Sequence, residues 1–65
     1  MEPEKVDDNT GSLMMQRLLE ANGQGEPLSV SLRNWRRMSD GDKAQTVAAY
    51  RAIFGEEDPA TVKAG

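Results

Sequence analysis

The residues best suited to binding another molecule lie in the stretch "SLRNWRRMSDGDKAQ", residues 31–45. It contains Arg33, Arg36, Arg37 and the chain's single tryptophan, directly before an acidic turn. Guanidinium groups bind phosphates and carboxylates through paired hydrogen bonds. The stretch therefore fits either a nucleic-acid-binding surface or a basic surface that contacts another protein.

The spacing of these residues separates two sides of a helix. At about 3.6 residues per turn, Arg33, Arg36 and Arg37 share one arc, whereas Trp35 and Met38 point away from it. We expect Trp35 to pack inward or against a partner, and the three arginines to be exposed.

The sequence lacks two residue types that proteins commonly use for catalysis and for zinc binding. The chain has no histidine and no cysteine, which are the commonest general base, the best nucleophile and the usual zinc ligands. Its four serines are all placed where a helix would need an N-cap, which is their expected role: Ser12, Ser29, Ser31 and Ser39. We therefore expect that the protein is not an enzyme and needs no cofactor.

Two short patterns partly match known ligand-binding loops. Asp40 and Asp42 could open a calcium loop, but loop positions 5 and 12 would then hold Ala44 and Arg51, which supply no side-chain oxygen. The glycines in "GQGEP" lack the preceding strand that a phosphate-binding loop requires. Asp40 and Asp42 instead fit the first turn of a helix, where the dipole favours negative charge.

Length and charge limit the organisation of the chain. Its 65 residues allow one domain. Acidic residues are concentrated in residues 1–11 and 56–65, whereas the segment between them has more basic than acidic side chains. No apolar run approaches the roughly 20 residues that span a bilayer, and the acidic N-terminus lacks an apolar signal segment. We expect a cytoplasmic protein with no membrane contact.

Helix signals predict an all-α fold, a small three-helix domain with disordered acidic N- and C-terminal tails. The first helix is expected at 13–22, capped by Ser12 and ended by Gly23. "LSVSL" is interpreted as an extended lead-in to a second helix at 31–38. Ser39 and Gly55 then bound a third helix at 40–54. The predicted organisation is a flexible arm over 1–11, a domain over 12–55 and a flexible tail over 56–65.

These features favour a small non-catalytic regulatory or adaptor protein that binds a larger protein assembly through a basic helix face. Arginine and methionine are enriched at protein interfaces. Association of the chain with further copies of itself is kept as an additional hypothesis. The predicted partner-binding residues are Arg33, Arg36, Arg37, Met14 and Met15.

The alternative is a helix-turn-helix-like nucleic-acid-binding transcriptional regulator. The second and third helices are joined by a short turn, as in that motif. However, the N-terminus of the motif's second helix approaches DNA, and here it carries Asp40 and Asp42. The sequence pI of about 4.7 is also unlike that of a basic DNA-binding domain. The sequence thus favours a protein partner over nucleic acid.

Overall fold

The computed structural model describes residues 4–62, which form three helices and no β-strand. The helices are α1 (Asp8–Ala21), α2 (Leu28–Arg37) and α3 (Asp40–Phe54). Helix α1 packs against both α2 and α3. The predicted all-α, three-helix architecture is confirmed for this part of the chain. The expectations for residues 1–3 and 63–65 fall outside the described residues.

Helix α3 has the predicted bounds because both of its end signals operate. The Ser39 hydroxyl accepts a hydrogen bond from the Asp42 backbone N–H at 3.1 Å. At the other end, Gly55 has φ 68°, a left-handed conformation that glycine adopts without steric cost.

Helix α1 begins at Asp8, five residues before the predicted start. Asp7 is the N-cap, and its carboxylate accepts from the Thr10 N–H at 3.1 Å. Ser12 lies inside the helix and its hydroxyl donates to the Asp8 carbonyl. The expected flexible arm over 1–11 is therefore wrong for its last four residues, because an aspartate upstream of Ser12 caps the helix equally well.

Helix α2 also begins earlier than predicted, since "LSVSL" is helical rather than extended. Pro27 precedes the helix, and its carbonyl accepts from the N–H groups of Val30 and Ser31 at 3.0 and 3.1 Å. Ser31 is buried and donates to the Glu26 carboxylate at 2.9 Å, so it does not act as an N-cap. An isolated strand would leave its backbone groups unpaired, whereas a helix satisfies them within the segment.

The core lies where α1 meets the other two helices. Four side chains are buried in it, namely Met14, Trp35, Val47 and Tyr50. The Tyr50 and Phe54 rings stack with their centroids 4.8 Å apart. Partly buried apolar side chains from α1, α3 and the segments before, between and after the helices surround this cluster: Val6, Met15, Leu18, Met38, Phe54 and Val62.

The Trp35 indole sits directly on the α1 backbone at Gly11. A Cβ atom at Gly11 would lie 2.1 Å from Trp35 Cζ2, which is inside van der Waals contact. The indole Nε1–H donates to the Asp8 carboxylate at 3.2 Å. Glycine at this position thus allows α1 and α2 to approach closely, and Trp35 packs inward as one of the two predicted alternatives.

The segment after α3 packs against the body of the domain, which differs from the predicted free tail over 56–65. The Tyr50 hydroxyl donates to the Glu57 carbonyl at 2.7 Å, and Arg17 Nε donates to the Pro59 carbonyl at 3.1 Å. Pro59 is buried and Val62 contacts the core cluster. The folded unit therefore extends beyond the predicted limit at residue 55.

The segment before α1 is fastened in a similar way. Both guanidinium Nε and Nη2 of Arg51 donate to the Glu4 carboxylate, at 3.1 and 2.8 Å. The same guanidinium donates to the Gly55 carbonyl through Nη1 at 3.2 Å. Arg51 thereby joins the start of the chain to the end of α3, and the predicted domain start at residue 12 is too late.

Replacing Gly11 with alanine is expected to destabilise the fold by about 1–3 kcal/mol, because the added methyl group overlaps the Trp35 ring. Chemical denaturation followed by circular dichroism measures this change. Gly41→Ala is the matched control, since the nearest heavy atom to its new Cβ is 3.9 Å away. That control should be neutral or stabilising by up to about 1 kcal/mol. Equal stability of the two variants would contradict the close packing of α1 on α2.

We also expect the free energy of unfolding to decrease as the pH falls, because protonation of Glu4 removes its ion pair with Arg51. Hydrogen bonding from Arg51 lowers the pKa of Glu4 from its ordinary value of 4.5. The pair therefore stabilises the fold above pH 4.5, and its contribution is lost as the pH falls below that value through the lower folded-state pKa.

Glu4→Gln should remove this part of the pH dependence. Asp7, whose pKa is lowered by hydrogen bonding from Thr10, is retained in both proteins and cancels in the comparison. Denaturation of the wild type and Glu4→Gln between pH 7 and about pH 3 measures the difference. Parallel pH profiles for the two proteins would contradict a stabilising Glu4–Arg51 pair.

Candidate protein-binding surface

The outer side of α2 carries three exposed arginines, Arg33, Arg36 and Arg37, which together are termed the basic surface. Trp35, on the same helix, is only 1% exposed. Helix α2 therefore has the two sides predicted from the sequence, one with the buried Trp35 and one with the exposed guanidinium groups.

The three arginines differ in their pairing. Arg36 Nε lies 3.6 Å from the Asp8 carboxylate, and both side chains are more than half exposed. Within residues 4–62, Arg33 and Arg37 make no ion pair and no side-chain hydrogen bond. Each of these two guanidinium groups retains five N–H donors for an external acceptor.

Helix α2 holds the basic surface in a fixed place because its inner side is anchored. Trp35 donates a hydrogen bond to Asp8 on α1, and Ser31 donates one to Glu26 in the segment between α1 and α2. The Asn34 amide lies 3.4 Å from the same Glu26 oxygen. A partner that binds the arginines thus meets a preformed helix and does not have to order it.

An apolar edge lies on α2 between the side that carries Trp35 and the side that carries Arg36. Leu28 is 38% exposed and Leu32 is half-buried, and Leu28, Leu32 and Arg36 follow one another at intervals of four residues. Residues at this spacing share one side of a helix. The sequence-based interpretation missed this edge because it placed the start of α2 after Leu28. The fourfold spacing of Leu28, Leu32 and Arg36 is the signal that could have revealed it.

Met14 and Met15 were predicted to contact a partner, but the structure does not place them on the exposed surface. Met14 is fully buried in the core, and Met15 is half-buried against it. The physical reason is that α1 is covered on two sides, by α2 and by α3. Met14 therefore contributes to stability in this structure and is not accessible to a partner.

A small cleft of about 200 Å³ lies between the N-terminal segment, Trp35 and the first half of α3. Lys43 extends over the Trp35 ring, with Nζ 5.6 Å from the ring centroid. The apolar lining is bordered by side chains of both charges, which gives the cleft no clear preference for an anion or a cation. Its remaining lining residues are Glu4, Lys5, Val6, Asp40, Ala44 and Val47.

Neither a metal-binding cluster nor a membrane-spanning helix is present within residues 4–62. In that range, no group of three or more histidine, cysteine, aspartate or glutamate side chains is arranged to hold a metal ion. None of the three helices has the length and apolar character needed to cross a bilayer.

Removing the charges of Arg33 and Arg37 is expected to leave the fold intact. The double variant Arg33→Gln, Arg37→Gln should unfold within about 0.5 kcal/mol of the wild type, because neither side chain has an internal partner. Asp8→Ala should instead cost about 1–3 kcal/mol, since it leaves the buried indole N–H of Trp35 without an acceptor. Urea denaturation of the three proteins tests this contrast. A large loss in the arginine variant would show that these residues serve the fold.

Comparisons of the chain with protein-family models, with curated proteins and with solved structures gave no significant match. The functional assignment therefore depends on the chemistry and geometry of the basic surface and its surroundings.

Proposed function

We propose that this chain is a small non-catalytic regulatory or adaptor protein of the cytoplasm that binds an acidic surface of a larger protein assembly. The basic surface makes the contact, with Leu32 as its apolar neighbour. The observation that carries this proposal is that Arg33 and Arg37 are exposed on an anchored helix without a carboxylate partner in residues 4–62.

The chemistry of the surface favours carboxylates as the recognised groups. A planar guanidinium forms two parallel hydrogen bonds with a carboxylate, and two arginines four residues apart lie on the same side of a helix. Opposite charge on the partner mainly accelerates association, while burial of an apolar side chain slows dissociation. The half-buried Leu32, four residues before Arg36, supplies such a side chain.

Nucleic acid is the competing occupant of the same arginines. Helices α2 and α3 are joined through Met38 and Ser39 only, which is compatible with a helix-turn-helix outline. In that arrangement the N-terminus of α3 would approach the phosphates, and Asp40 and Asp42 are both exposed there. Repulsion between these carboxylates and a polyanion favours the protein partner. A role in transcription regulation fits an adaptor of this kind.

Affinity capture from a lysate of the source cells tests the proposal. The wild type should recover one protein in a stoichiometric amount. Arg33→Gln, Arg37→Gln should reduce its recovery at least about tenfold, equivalent to about 1.4 kcal/mol of binding free energy. Gln45→Glu, Ala48→Glu is the matched control, because it produces the same change in net charge at two exposed positions of α3. This control should bind as the wild type does.

Two results would contradict the proposal. The first is equal recovery of the partner by the arginine variant and the control. The second is tight binding of the wild type to duplex DNA at about 0.15 M salt that weakens steeply as salt rises, which would support the nucleic-acid alternative.

A further inference from the structure

We propose that the cleft between Trp35 and α3 is a second protein-binding site, which takes an extended peptide segment with a glutamate followed two residues later by a large aliphatic residue. The chain's own residues 4–6, termed the N-terminal strap, occupy part of this site. The strap is thus an internal competitor that a partner peptide must displace. The site is separate from the basic surface and does not rest on the function proposed above.

The N-terminal strap shows which side chains the site accepts. The Glu4 carboxylate accepts two hydrogen bonds from Arg51, one from Nε at 3.1 Å and one from Nη2 at 2.8 Å. Val6 is half-buried and packs against the core cluster. In an extended segment, side chains two residues apart lie on the same side. A peptide with this spacing therefore brings a carboxylate to Arg51 and an apolar group to the cleft at the same time.

Arg51 is held in position by contacts other than those with the N-terminal strap. Its Nη1 donates to the carbonyls of Gly55 and Glu57, at 3.2 and 3.4 Å. The guanidinium carbon also lies 5.6 Å from the centroid of the Tyr50 ring. These contacts direct the other edge of the guanidinium, Nε and Nη2, at Glu4. When Glu4 leaves, this edge stays available for two parallel hydrogen bonds to another carboxylate.

The N-terminal strap is attached to the domain by its side chains. Within residues 4–62, no backbone N–H or carbonyl of residues 4–6 forms a hydrogen bond. The ion pair with Arg51 joins side chains that are 45% and 25% exposed, so water competes for it. Segments with few backbone hydrogen bonds and little burial open at a lower free energy than the rest of a fold. The strap can therefore leave the site while the helices stay folded.

The N-terminal strap fills the site only in part. A volume of about 200 Å³ remains between the strap, the Trp35 indole and the apolar side chains Ala44 and Val47 of α3. Since this volume lies beside Val6, a leucine or isoleucine at the same position would bury one more methylene group. A partner peptide with such a residue should therefore bind the site better than the strap does.

Competition by the N-terminal strap has a measurable consequence. The apparent dissociation constant of a partner peptide equals the intrinsic constant divided by the fraction of chains whose strap has left the site. Substitutions that weaken the strap should therefore tighten peptide binding, whereas substitutions of the side chains that receive the peptide should weaken it. A strap that serves only the stability of the fold would not produce these opposite responses.

Fluorescence polarisation with a labelled peptide tests the proposal on the full chain. The probe has the sequence of residues 4–10 with Val6→Leu. The strap variant Glu4→Gln, Val6→Ser should bind this probe at least about tenfold more tightly than the wild type, because its own strap no longer competes. Adding Arg51→Lys to the strap variant should weaken binding at least about tenfold, since an ammonium group does not offer two parallel donors to a carboxylate.

The control is Arg33→Gln, Arg37→Gln added to the strap variant. It removes charge from the basic surface and leaves the cleft and Arg51 unchanged. It should therefore bind the probe as the strap variant does. Loss of probe binding in this control would overturn the proposal, because the probe would then be bound by the basic surface.

Changes in the probe test the same contacts without altering the protein. Glu4→Gln in the probe should weaken binding at least about tenfold, and retaining Val6 should weaken it about fourfold, the effect of one buried methylene group fewer. Circular dichroism establishes that each protein variant retains its helices. If the strap variant unfolds, Glu4→Gln alone replaces it. Absence of saturable binding, equal affinity of the wild type and the strap variant, or equal affinity for the probes with and without Glu4 would overturn the proposal.

Discussion

The contact between Trp35 and Gly11 is the constraint on which the arrangement of the three helices depends. The indole is the largest buried side chain, and it fits only because residue 11 has no Cβ. Its N–H is satisfied by Asp8 on the same stretch of α1, so the contact fixes both the separation of the helices and their register. With α2 held in this position, its outer arginines face away from the core.

The sequence predicted the class of fold and one helix in full, because those features are local. Ser39 and Gly55 are unambiguous end signals, and α3 follows them. The other two helices start earlier than the sequence predicts, because α1 begins after Asp7 and α2 begins after Pro27. The alternating pattern of "LSVSL" favours an extended segment, although this segment is helical. A local sequence pattern does not determine which of two competing helix-start signals is used, because packing in the complete fold decides between them.

The candidate surface was predictable only in part for the same reason. Helical spacing was sufficient to place Arg33, Arg36 and Arg37 on one exposed arc. It could not show that Met14 is buried, because that depends on α1 being covered by two other helices. The exposure of the apolar side chains Leu28 and Ile53 likewise depends on how the helices pack.

Arginine is used in two different ways in this small protein. Three arginines lie on α2, while Arg17 and Arg51 fasten the terminal segments by bonding to backbone carbonyls of Gly55, Glu57 and Pro59 and to the Glu4 carboxylate. The segment after α3 is held by hydrogen bonds to backbone carbonyls and by burial of Pro59, whereas the segment before α1 is held in part by the Glu4–Arg51 ion pair, which salt screens. Raising the ionic strength should therefore loosen the segment before α1 while the segment after α3 stays with the helical body.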